Sequence, residues 1–158
     1  MSGNIAIGIQ DFSTIIQGNY FYIDKTPFIK EWWDCGDSAT LITRPRRFGK
    51  TLTMSMVEQF FSIDYAGRSD LFEHLAIWKE EKYRELQGTY PVISLSFARI
   101  KERDYEKTKQ KMCEVLRNIY IKFCYIKDSE KLTDADRAYY ERMLEENIKE
   151  TDATSSFC

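Results

Sequence analysis

At 158 residues the chain has room for one domain with a single core. Its 43% apolar and 30% charged residues are ordinary for a folded soluble protein, and no run reaches the length of a transmembrane helix. Lys and Arg total 23 against 25 Asp and Glu, which excludes a global bias toward nucleic acid or anionic membrane and makes any basic site local.

The opening "MSGNIAIGIQDF" has neither a basic start nor a long apolar stretch, so it does not read as a secretory signal. Segment 19–24, "NYFYID", is aromatic and β-branched and predicts a short strand or an extended arm. In "TPFIKEWWDCG", Thr26 suits an N-cap, Pro27 the first helical position and Gly36 the stop. Segment 38–43, "SATLIT", predicts a strand. From Lys50 to about Tyr65 the pattern is helical, with Leu52, Met56, Val57, Phe60 and Ile63 on one face.

Residues 69–87 predict one or two short helices ended by Gly88, and "YPVISLSF" predicts a strand with Pro91 at its start. Residues 103–126 predict a long helix carrying Met112, Val115, Leu116, Ile119, Phe123 and Ile126 on one face. Thr133 opens another, with Tyr140, Leu144 and Ile148. Strands alternating with helices imply an α/β layered domain with a parallel sheet. Cys35, Cys113, Cys124 and Cys158 lack metal or redox spacing, which fits a reduced cytosolic protein; Cys113 and Cys124 are expected buried or half-buried.

Residues 44–51, "RPRRFGKT", carry the chemistry. A phosphate-binding loop of the Walker A kind reads G-x-x-x-x-G-K-[ST], and this stretch ends on Gly49, Lys50 and Thr51. Such a loop holds phosphate oxygens with successive backbone N–H groups and a helix N-terminus, here the amides of Arg47, Phe48, Gly49, Lys50, Thr51 and Leu52. Lys50 would meet the β- and γ-phosphates and Thr51 would offer its hydroxyl to Mg²⁺. Arg44, Arg46 and Arg47 add positive charge. Arg44 replaces the first glycine, so the turn must be built without a free left-handed residue there. The competing structural reading is a basic turn capping a buried helix.

"YFYIDKTPFI", "LITRPRRFGKTLTMSMVEQFF", "LFEHLAIW" and "YPVISLSF" together resemble the bacterial AAA-ATPase-like domain family over most of residues 7–98. The arginine in place of the first glycine is a habit of that family. The resemblance implies a P-loop NTPase topology and ATP as ligand. It also implies that Asp24, Lys25 and Thr26, which match a family motif, contact the nucleotide; a helix cap with a surface ion pair explains them as well. Longer members often carry a C-terminal domain resembling PD-(D/E)XK nucleases.

An ATPase of this type needs a second acidic motif at the end of a neighbouring strand, which holds Mg²⁺ through water. "YFYID", ending at Asp24, precedes the loop and would require a permuted strand order, whereas "FFSID", ending at Asp64, lies on the helix after it. Ala98 and Arg99 follow "VISLSF" where an acid would be needed. The chain is therefore expected to be a fragment ending before the acidic strand, binding ATP without hydrolysing it. Segments 38–43 and 91–97 would then lie ~10 Å apart, with a one-strand gap between them.

His74 reads as a packing or surface residue, and Trp32 and Trp33 as helix packing, with a ring near an adenine as the alternative. Two other functions stay open. One is a partner-binding module in which the loop is vestigial and the helices mediate assembly, the expected partners being the missing C-terminal region or another protein chain. The other is a nucleic-acid-associated module using the arginine cluster.

Overall fold

A computed structural model describes residues 4–43, 45, 47–98 and 100–145. Ile148, Cys158, Arg44, Arg46 and Arg99, named above, lie outside the described residues. The chain divides into two compact units, one running to Val92 and the other from Ile93.

In the first unit α3, Lys50–Phe61, follows the apolar spacing of its sequence. Met56 and Phe60 are fully buried, Leu52 and Val57 half-buried, and Phe61 turns its ring onto Trp32 and Trp33 at centroid distances of 5.6 and 5.4 Å. Ile63, on the predicted face, lies beyond the helix and is exposed. α1, Phe12–Gln17, lies against α3. The Phe12 N–H donates to Ser55 Oγ at 3.1 Å, and Gln59 Nε2 donates to Asp11 Oδ2 at 2.7 Å. Phe12 stacks on Phe72 at 5.1 Å and meets Phe60 through that ring, so four separate stretches share one aromatic core.

Asp11 caps α1, accepting from the Thr14 N–H at 2.7 Å and from the Ser13 hydroxyl at 2.6 Å. Burial pushes its carboxyl pKa up, but hydrogen bonds from Ser13, Thr14 and Gln59 outweigh that and hold it below the usual value. A lowered folded pKa stabilises above the unfolded pKa, and the contribution is lost as pH falls through the folded one. Urea melts at pH 7 and below pH 3.8 should therefore show an acid-induced loss of stability that shrinks in Asp11→Asn. An equal loss in both proteins would place the acid sensitivity elsewhere.

α2, Pro27–Cys35, has the bounds its sequence implies, with Pro27 at its first turn and Gly36 just after it. Thr26 departs from expectation, since its side chain makes no cap bond to this helix. Three short 3-10 turns follow α3, at Ile63–Tyr65, Ser69–Leu71 and Ala76–Lys79, and then α4, Glu81–Arg84. Gly88, at φ 68°, returns the chain beside the end of α3, where a Cβ would stand 2.5 Å from the Ala66 Cα. Its N–H donates to the Phe60 carbonyl at 2.8 Å, and the Tyr90 N–H to the Phe61 carbonyl at 2.9 Å.

The second unit pairs α5, Tyr105–Lys122, with α6, Asp134–Leu144. Thr133 and Asp136 form a reciprocal capping box at the start of α6. Leu116 and Met143 make the buried contact, supported by Tyr120 edge-on to Tyr140 at 4.9 Å. Cys113 is half-buried, whereas Cys124 is exposed, against expectation.

The parallel sheet expected from the sequence is not formed. Among the described residues the fold is helical, and the β-pairing found is an isolated parallel bridge between Ser62 and Tyr90. Segments 38–43 and 91–97 form no strands, so the strand edges expected to flank a gap are not there. The physical reason is that strand propensity expresses a fit to a half-buried pleated surface, and no such surface faces these residues. Leu41 is 85% exposed and Ile93 63%. Segment 19–24 likewise forms no strand; it starts at a left-handed Asn19, φ 52°, and its Phe21 N–H donates to the Asn4 carbonyl at 3.0 Å.

Candidate functional site

The turn before α3 is built from two left-handed residues, Arg47 at φ 69° and Gly49 at φ 73°. Glycine takes this conformation freely, whereas Arg47 holds it at a cost of about 1 kcal/mol or more. Gly49 precedes the first helical residue, Lys50, and no side chain caps the helix start. Its carbonyl is held twice by Thr53, from the N–H at 2.8 Å and from the hydroxyl at 3.0 Å. The first amides of α3 therefore face outward with the positive end of the helix dipole.

They open onto a cleft of about 1030 Å³. Its walls are the loop from Arg47 to Leu52, the N-terminal arm from Ala6 to Gln10, Ile15, and the arm residues Phe21 to Ile23 with Lys25. Lys25, Arg47 and Lys50 supply positive charge, and no Asp or Glu is found among the described residues of the wall. The remaining surface is largely apolar, through residues such as Ile7, Phe21 and Ile23.

The Asp24–Lys25–Thr26 triplet divides its work. Asp24 accepts from the Thr26 N–H at 2.8 Å and hydroxyl at 2.7 Å with one oxygen, and from the Ala76 N–H at 2.7 Å with the other. Thr26 is fully buried and accepts from the Ile77 N–H at 3.1 Å. Both residues tie the arm to the turn at Ala76–Lys79. Lys25 instead points to the loop, its Nζ donating to the Phe48 carbonyl at 3.4 Å.

Asp64 sits in the exposed turn after α3 and His74 in an exposed turn; neither lines the cleft. Trp32 and Trp33 pack on Phe61, away from the cleft wall. Two residues that support the site, Tyr22 in the cleft wall and Thr53 behind Gly49, were not singled out from the sequence. Tyr22 accepts from the Lys25 N–H and donates to Met56 Sδ, both at 3.3 Å, and burial pushes its hydroxyl pKa up to about 12. Thr53 had a local signal, being four residues past the glycine whose carbonyl it holds. Among the described residues no group of His, Cys, Asp and Glu is arranged to hold a metal ion, and no helix is long and apolar enough to cross a membrane.

A relative from Azotobacter chroococcum mcd 1, an uncharacterized protein in the vnfD 5' region, is 33% identical over 113 residues. The alignment covers 71% of this chain and 20% of the relative, so the chain matches about a fifth of that protein's length. No solved structure matches. A family model described as a predicted AAA-ATPase matches residues 6–156, nearly the whole chain, and a nucleotide-binding function is what that family suggests. The chain belongs to this predicted AAA-ATPase family.

Proposed function

We propose that the loop from Arg47 to Leu52 binds the phosphates of ATP, in a cytoplasmic protein. The observation that carries this reading is the opening of an uncapped twelve-residue helix, through a left-handed Gly49, onto a cleft bearing three cationic side chains and no described acid. Oriented amides, a helix dipole and fixed cations act on one polyanion. Lys50 would meet the β- and γ-phosphates, and Arg47 would add charge at the rim. Phe48 and Leu52 shape the wall, and Arg44 and Arg46 extend the basic stretch in sequence.

The residues fit a magnesium nucleotide at its phosphate end. Mg²⁺ would neutralise phosphate charge, and Thr51 would offer it a hydroxyl oxygen. Asp24 contributes no metal ligand in this reading, because both its oxygens are engaged by Thr26 and Ala76. The apolar walls at Ile7, Phe21 and Ile23 suit a flat heterocycle. The reading covers binding and leaves turnover aside.

Mg·ATP at a hundredfold excess over its Kd should stabilise the chain by about 2.7 kcal/mol, seen as a rise in Tm. Lys50→Ala should remove most of that rise and leave the ligand-free melt near that of wild type, since Lys50 is exposed. An equal rise in both proteins would sink the assignment of Lys50.

A further inference from the structure

Lys25 is the one cation of the described cleft wall that comes from outside the loop. Its main chain is fixed from both sides. Asp24 is bonded to the Ala76 N–H at 2.7 Å, Thr26 is fully buried, and the Lys25 N–H donates to the Tyr22 hydroxyl at 3.3 Å. From that footing the half-buried side chain crosses to the loop and places its ammonium beside the Phe48 carbonyl and over Gly49. A Cβ at position 49 would stand 2.7 Å from Lys25 Nζ. Gly49 therefore leaves room for the ammonium as well as for its own left-handed turn.

Building on the phosphate-binding reading above, we propose that Lys25 is a second lysine ligand of the bound polyphosphate, delivered from the N-terminal arm. At 3.4 Å its bond to the Phe48 carbonyl is long for a charge-assisted hydrogen bond, which ordinarily measures about 2.7–2.9 Å. The ammonium therefore gives up little when it turns to a phosphate oxygen. While it remains beside that carbonyl, it also offsets a partial negative charge at the mouth of a polyanion site. The anchored backbone means that a short side-chain rotation, rather than a loop rearrangement, makes the contact. The neighbours of Lys25 in the triplet serve this presentation and are not ligands themselves.

Titration calorimetry of the full chain with Mg·ATP, and separately with inorganic tripolyphosphate, tests the proposal. Lys25→Met should weaken both ligands by about tenfold, the scale of one charged hydrogen bond. Lys25→Arg should recover part of the loss, and the difference from wild type should narrow as salt is raised. In the wild-type chain, saturating tripolyphosphate should slow acylation of Lys25 by an amine-reactive ester, measured by peptide mass spectrometry; this readout requires no variant to fold. Wild-type affinity in Lys25→Met alongside lost affinity in Lys50→Ala would overturn the role of Lys25 and leave the loop reading standing. Unprotected Lys25 under saturating ligand would overturn it equally. Failure of wild type to bind either ligand would remove the loop reading, and Lys25 with it.

Discussion

Phe60→Ala is expected to destabilise the first unit by about 3–5 kcal/mol. The ring is fully buried at the meeting point of α1, α3 and the turn carrying Phe72. It stands edge-on to Phe61 at 5.0 Å and to Phe72 at 5.1 Å, so truncation removes apolar burial and two favourable ring contacts together. Little can collapse into the space, because the facing groups are aromatic rings fixed on other elements. Met54, on the same helix and 60% exposed, supplies the control, and Met54→Ala should change stability by less than about 0.5 kcal/mol. Urea titrations of both variants decide the matter. A Phe60→Ala loss below about 1 kcal/mol would show that the aromatic cluster is not the seat of stability.

Asp24→Ala is expected to cost about 3 kcal/mol, although the residue is solvent-exposed and its sequence context suggests a ligand contact. One carboxylate serves three donors, and its loss strands the Ala76 N–H and frees the buried Thr26 hydroxyl. Asp24→Asn should cost less, since one amide oxygen still accepts while the NH₂ turns a donor toward a donor. Below its lowered Tm, each variant should keep most of the stabilisation by Mg·ATP, losing at most the roughly tenfold share in affinity that a well-presented Lys25 supplies. The opposite pattern, wild-type stability with ligand stabilisation abolished, would make Asp24 a ligand or metal residue and refute its role as a tether.

The same triplet shows where the sequence could be read and where it could not. Helix ends were legible because their signals are local: Pro27 and Gly36 around α2, and Thr133 at the start of α6. Gly49 at the head of α3 was legible for the same reason. The partners of Asp24 and Thr26 lie 52 and 51 residues away, at Ala76 and Ile77, and nothing in the triplet announces them. Segments 38–43 and 91–97 went astray through the same non-locality. Ile93, Leu95 and Phe97 alternate as a strand should, yet a strand exists only where another chain segment accepts its hydrogen bonds. All three are exposed instead. Of the residues predicted on one face of the helix over 103–126, Leu116 and Phe123 are buried and Met112, Val115, Ile119 and Ile126 half-buried, and α5 itself ends at Lys122, just before Phe123.

The placement of the indoles has a spectroscopic consequence. The chain's three tryptophans, Trp32, Trp33 and Trp78, all belong to the first unit, and all pack against its core. Tryptophan emission therefore watches the unit that contains the cleft and is blind to α5 and α6, whose aromatic residues are all tyrosines. Far-ultraviolet circular dichroism weighs both units, since α5 is the longest helix of the described chain. Recording both signals during one thermal scan turns this uneven distribution into a measurement of coupling. Coincident midpoints would mark a single cooperative transition, and separated ones would show that the helical pair melts on its own terms.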